Sequence, residues 1–198
     1  MRAGLRWLLA ALAIATTPAT AFAHTGVGQA SGFIHGFMHP ICGLDHTLAM
    51  VRAGAFAAHL GRRAVWLVPA AFVVMMAFGG WLGIEGAAVP HVEAGIAASV
   101  IVLGLVVAAR LALPALAAAA LVGTFAIFHG HAHGAEMPMD VAGLYYAVGF
   151  MLATALLHVA GIGIGIGAAR LGHRSELALR AGGYATAALG VGILANAI

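Results

Sequence analysis

The sequence predicts an all-α fold, a polytopic membrane helix bundle of six transmembrane helices behind a cleavable signal peptide, and three observations predict it. Hydrophobic residues fill 63% of the 198 positions and charged residues only 8%, against about half apolar and a quarter charged in soluble domains. The apolar residues fall in runs of roughly 20, the length that crosses a bilayer as a helix. The breaks between the runs alternate in charge. At about 20 residues per crossing the chain has room for about six spans and short loops, so residues 24–198 make one transmembrane domain and leave no soluble one.

At the amino terminus, Arg2 and Arg6 precede the apolar run 7–15, and Ala21-Phe22-Ala23 offers a small-x-small cleavage site. That pattern marks residues 1–23 as a secretory signal peptide and His24 as the mature terminus. An uncleaved first helix is the alternative, and the short apolar core argues against it. The spans follow near 33–59, 64–84, 91–109, 111–130, 141–169 and 177–197, with the weakest division between Arg110 and Pro114.

Arg62 and Arg63, then Arg110, then Arg170, Arg174 and Arg180 occupy alternate breaks, while Glu85, Glu93, Glu136 and Asp140 lie in or near the others. By the positive-inside rule the arginine breaks are cytoplasmic. A multi-pass protein of the bacterial inner membrane results, with both mature termini outside, the orientation that signal-peptide export also requires. The nine arginines form no patch with interleaved aromatics, so they speak for topology and against nucleic-acid binding. Cys42 is the lone cysteine, which excludes an intramolecular disulfide and a cysteine-based zinc cluster. The alternating glycines of 161–167 suit close helix contact in lipid rather than a nucleotide loop, and no Walker A motif is present.

Two clusters carry chemistry. In the first, His35, His39 and His46 would share one face of a continuous helix at about 100° per residue, with Cys42 beside them and Asp45 about 80° to the side. Pro40 is best tolerated in a first turn, which starts the membrane helix near His39 and leaves 31–38 as an interfacial lead-in. Asp45 and His46 would then sit on the order of 10 Å below the outer rim. Ionisable groups at that depth need partners.

In the second cluster, a helix continued through Phe128–Glu136 places His129, His133 and Glu136 on one face and turns His131 away. The competing reading is a solvated histidine-rich loop, since Gly130 and Gly134 weaken the helix. Both clusters lie toward the outer side and can face one another. Imidazole and carboxylate suit nickel, cobalt, zinc or iron(II). Met38, Met50, Met137 and Met139 keep copper open. His24 offers a terminal amine and imidazole, His91 and Glu93 either extend an acidic vestibule or cap the third span, and His158 with Thr154 one turn before it is either a relay or a buried hydrogen-bonded histidine.

At these motifs the sequence resembles the HupE/UreJ family of hydrogenase and urease accessory membrane proteins, regarded as nickel permeases. The family's His-x5-Asp-His pattern matches His39, Asp45 and His46, and its Phe-His-Gly-x-Ala-His-Gly-x-Glu pattern matches Phe128 through Glu136 without a break. The resemblance implies nickel entry for metalloenzyme maturation, with His39, Asp45, His46, His129, His133 and Glu136 handling the ion. It calls for no bound cofactor, and it leaves cytoplasmic metallochaperones as candidate receivers. Two other classes stay open on the residues alone: a membrane-embedded zinc-dependent hydrolase, although His-Glu-x-x-His and Gly-x-Ser-x-Gly are absent, and a metal sensor or assembly platform.

Overall fold

A computed structural model describes residues 29–137 and 141–197; the expected signal peptide, His24, Met139 and Asp140 lie outside the described residues. Seven helices make up the described chain: α1 (Gln29–Cys42), α2 (Leu44–Leu60), α3 (Ala64–Ile84), α4 (Val92–Ala108), α5 (Ala115–Glu136), α6 (Val141–Leu171) and α7 (His173–Ala197). No strand occurs among the described residues. Four of the helices, α3, α5, α6 and α7, are long and apolar enough to cross a membrane, and α4 is a shorter apolar helix.

The bundle surface is what lipid requires. Trp66, Val74, Leu144, Leu156 and Val159 are all at least half exposed, large apolar side chains turned outward as a lipid-facing surface would have them. Trp66 and Trp81 stand near opposite ends of α3 and outward from the bundle, about 22 Å apart along the axis. That spacing matches the interfacial belts in which tryptophan is enriched at the two sides of a bilayer. Inside, Met50, Phe56, Val68, Phe72, Val100, Leu103 and Val122 are fully buried and form the centre of the core.

Glycine sets the helix packing. Gly32 and Gly36 of α1 lie against the backbone of Ala142 and Tyr146, and Gly161 of α6 against that of Val51 in α2. Each of these pairs is separated by 110 positions, so α1 and α2 run one after the other, parallel to α6. Gly79 and Gly83 of α3 meet Ile127 and His131 of α5, and Gly130 and Gly134 meet Met76 and Gly80 in return, a second parallel pair. Gly183 and Gly190 of α7 meet α4 at Gly104 and Ile101 in the opposite sense. Small residues let backbones approach where lipid removes the hydrophobic drive between helices. In the run 161–167 only alternate positions act in this way: Gly161 and Gly165 touch α2, while Gly163 and Gly167 face open space.

Three boundaries differ from the sequence expectation. The first span is two helices, and Pro40 sits in the last turn of α1 rather than in a first turn. Proline lacks the N–H that would bond the Gly36 carbonyl, yet the helix runs on past it to Cys42 and ends at Gly43, whose backbone is extended at ψ 115°. The carbonyls of this last turn are met locally: His39 O accepts from the Gly43 amide at 3.0 Å, and the Thr47 hydroxyl serves Pro40 O at 2.8 Å and Ile41 O at 3.1 Å. Helix α5 begins only after Pro114 and runs on to Glu136. Its glycines at 130 and 134 are contact points against α3 rather than breakers. Helix α7 starts at His173, four residues early.

The arginine breaks share one end of the bundle. Arg110, Arg170 and Arg180 line a cavity of about 230 Å³ with His59 and Glu176. Arg110 adopts a left-handed backbone at φ 52° after α4, a conformation that glycine usually fills. Its guanidinium bonds Glu176 at 2.5 Å and its carbonyl accepts from His59 Nε2 at 3.1 Å, which hold it there.

Candidate metal site

The break between α1 and α2 draws closer side chains that a straight helix would hold on one face about 10 Å apart along the axis. His39 lies in the last turn of α1 and His46 in the first turn of α2, and their rings stand 6.3 Å apart. From the facing helix, His129 and His133 occupy successive turns of α5. The His39 ring is 4.6 Å from that of His133, and the His46 ring is 4.5 Å from His133 and 4.7 Å from His129. Residues 39–46 and 129–133 therefore converge on one place. Of these four histidines all but His39 are buried, with His129 wholly inaccessible.

Hydrogen bonds fix how each ring presents its nitrogens. The Asp45 carboxylate accepts from His46 Nδ1 at 2.9 Å, which leaves the His46 Nε2 lone pair directed at His133 Nε2, 2.5 Å away. The Ser99 hydroxyl has one proton and gives it to Ile96 O at 2.6 Å. It therefore accepts from His129 Nε2 at 2.8 Å, and His129 Nδ1 carries the free lone pair. His129 Nδ1 and His133 Nδ1 are buried with no hydrogen-bond partner among the described residues. Orphaned buried nitrogens are rare and call for an explanation such as a bound ion or water.

Phe150 of α6 closes the cluster from the side, its ring 4.4 Å from His133 and 6.2 Å from both His39 and His46. It lies nine residues into α6, about 13 Å along the axis. Tyr146, one turn earlier, stands 6.1 Å from His35 and 6.0 Å from His39. Next to the cluster, α3, α5 and α6 enclose a cavity of about 180 Å³ with Met76, His133, Met137 and Tyr146 on its wall.

Of the six residues singled out in the sequence, His39, His46, His129 and His133 meet, and Asp45 reaches the group through His46. Glu136 does not join them. It is exposed at the end of α5, within electrostatic reach of His39 and Tyr146. His35 is exposed, 6.4 Å from the His39 ring, and Cys42 points to the surface instead of flanking the histidines. His131 turns away, as its spacing predicts, and donates from Nε2 to Ala87 O at 2.8 Å. His91 starts α4 with no side-chain cap, and Glu93 is exposed in its first turn. Among the described residues, no three His, Cys, Asp or Glu side chains stand as a ready-made coordination set. The nitrogens meet in pairs, and a metal between His46 and His133 would part them to about 3 Å, the separation that bonds of about 2.0–2.1 Å impose.

Two contributors to the site, and one half-buried arginine apart from it, escaped the sequence reading. Ser99 is the lone hydroxyl in its apolar run, a signal that was available. Phe150 carries no signal, because a phenylalanine in an apolar span is unexceptional. Arg52 lies within α2 and was passed over in assigning topology; its Nε donates to Thr186 Oγ1 at 2.9 Å, and the described ion pairs, His46–Asp45 and Arg110–Glu176, give it no carboxylate.

Comparison with known proteins agrees with this reading of the motifs. The family model described as HupE / UreJ protein matches residues 12–193. A relative named Protein HupE, from Rhizobium leguminosarum bv. viciae, is 48% identical over 186 residues, which cover 94% of each chain. No solved structure matches.

Proposed function

The chain belongs to the HupE / UreJ family, and from that premise and the histidine convergence we propose that it is a permease for divalent nickel, supplying hydrogenase or urease maturation. The observation that carries the proposal is the meeting of His39, His46, His129 and His133 from two facing elements, with unpaired nitrogens on His129 and His133. Neutral imidazole is a good ligand for nickel and for its neighbours cobalt and zinc.

Each side chain has a role in this reading. His46 Nε2, His129 Nδ1 and His133 offer lone pairs to the ion, with His39 completing the set on the exposed side. Asp45 orients His46 and raises its basicity through Nδ1, and Ser99 does the orienting for His129, the outer-shell arrangement common to metal-bound histidine. Glu136 and His35 stand outside the cluster as first captors of hydrated cations. The ion enters from the side opposite the arginine-lined end, in a bundle of six crossings in the inner membrane with both mature termini outside. The broken helix is suited to the task, because discontinuous helices place polar groups at membrane depth where they line a site.

The membrane potential favours inward movement of a divalent cation by about 4.6 kcal/mol per 100 mV, twice the single-charge value. Uptake of nickel, cobalt, zinc and manganese into proteoliposomes holding the purified chain tests the proposal. Saturable nickel entry that falls at least about tenfold in His46→Ala and His129→Ala supports it. Binding without flux would favour a sensor, and metal-dependent turnover of lipid would favour a hydrolase.

A further inference from the structure

Beyond the outer cluster lies one more buried imidazole whose ring nitrogens are poorly satisfied. His158 of α6 is completely inaccessible; the Thr154 carbonyl, one turn earlier, lies within reach of one ring nitrogen, but neither nitrogen makes a well-formed hydrogen bond among the described residues. Each unmade bond of a buried polar group costs about 1–3 kcal/mol. Packing alone would favour an apolar side chain at this place.

Its surroundings follow from the register of two antiparallel helices. On α6, Thr154 and His158 are one turn apart; on α3, Met76 and Phe72 are one turn apart in the opposite sense. The Thr154 hydroxyl faces Met76 Sδ at 3.8 Å, and the His158 ring meets the Phe72 ring at 4.8 Å. An imidazole, a hydroxyl and a thioether thus lie together in the apolar interior. Phe72 is also the neighbour of His129, at 5.8 Å. One phenyl ring thus stands between the last histidine of the outer cluster and His158, which lies eight residues beyond Phe150, about 12 Å further along α6.

Building on the permease reading, we propose that His158, with Met76 and Thr154, forms a second, inner station for the transported cation, reached from His129 past the Phe72 ring. The donor set suits a borderline transition cation better than magnesium or calcium, which require several oxygen ligands. It binds more weakly than the outer cluster, with one imidazole in place of four, so the ion passes on rather than resting there.

The test pairs nickel flux with nickel binding in the full chain. His158→Asn, His158→Leu and Met76→Leu are reconstituted in proteoliposomes, and bound nickel per chain is measured by equilibrium dialysis. The expected result is a loss of flux of about tenfold or more in both His158 variants and about threefold in Met76→Leu, with the outer-cluster affinity kept within about threefold. Wild-type flux in the His158 variants would overturn the proposal, as would unchanged nickel flux with altered proton entry, read by an enclosed pH dye. A structural role would lower affinity and melting temperature together with flux, and would equally overturn it. If His158→Leu does not fold, His158→Asn and Met76→Leu decide: wild-type flux in both sinks the inner station. Absence of nickel flux and binding in the unaltered chain would instead sink the permease reading on which the station rests.

Discussion

His46 Nε2 and His133 Nε2 lie 2.5 Å apart, although 87 positions separate them in the chain. Two ring nitrogens at that distance fix the relative placement of α2 and α5, and they do so at the point where α1 ends and α2 begins. The contact exists because the first span is interrupted at Gly43, and because Asp45 holds the His46 ring from behind.

If those nitrogens are the heart of the metal site, removing either should weaken nickel binding by more than about 100-fold, beyond the 10- to 100-fold loss typical of an outer-shell partner. Dialysis of His46→Ala and His133→Ala against nickel measures this. Near-wild-type affinity in both would exclude the pair as ligands.

Asp45 acts through His46, so its effect should be graded. Asp45→Asn keeps an oxygen to accept from Nδ1 but loses the charge, and a drop in affinity of about tenfold is expected, with about 100-fold in Asp45→Ala. Equal, complete loss in both variants would point to direct ligation by the carboxylate.

Gly43 leaves room for that pair. A methyl group there would stand 3.2 Å from both Asp45 Oδ1 and His46 Nδ1, close enough to displace them by a few tenths of an ångström. Gly43→Ala is expected to bind nickel several-fold more weakly while melting near the wild-type temperature, since the backbone at φ −76° suits alanine. Unaltered binding would show that the site tolerates the displacement.

Gly134 serves the fold instead. Its added methyl would strike the backbone of Gly80, and overpacking of this kind costs about 1–3 kcal/mol. Gly134→Ala should lower the melting midpoint in detergent by several degrees. An unshifted midpoint would mean that α3 and α5 can part freely.

Driving force separates uniport from exchange. For nickel moving alone, 100 mV at equilibrium corresponds to about a 2,000-fold concentration ratio, from about 4.6 kcal/mol at about 1.4 kcal/mol per decade. Nickel accumulation in valinomycin-clamped vesicles should therefore follow the imposed potential. Accumulation that ignores it would indicate electroneutral exchange.

Helix class and most helix positions were legible in the sequence, because apolar runs and arginine breaks are local signals. The motif histidines were legible for the same reason: i, i+4 spacing placed His129 and His133 together and His131 apart. The break at Gly43 was not, since it depends on Thr47 reaching back to two carbonyls. Helix α5 runs through Glu136, as its spacing required, but Glu136 is the last helical residue and is exposed. Phe150 and Phe72 gained their positions from α6 and α3, which no local pattern relates to the two motifs. The sequence expected Gly130 and Gly134 to weaken a helix that they in fact dock against α3.

The most direct test of the convergent site is a nickel-edge X-ray absorption spectrum of the reconstituted, nickel-loaded protein beside that of His133→Ala. Three or more imidazoles about the metal in the wild type, with at least one fewer in the variant, is the predicted outcome. A hydrated ion with oxygen ligands alone, or identical spectra from the two proteins, would contradict the account.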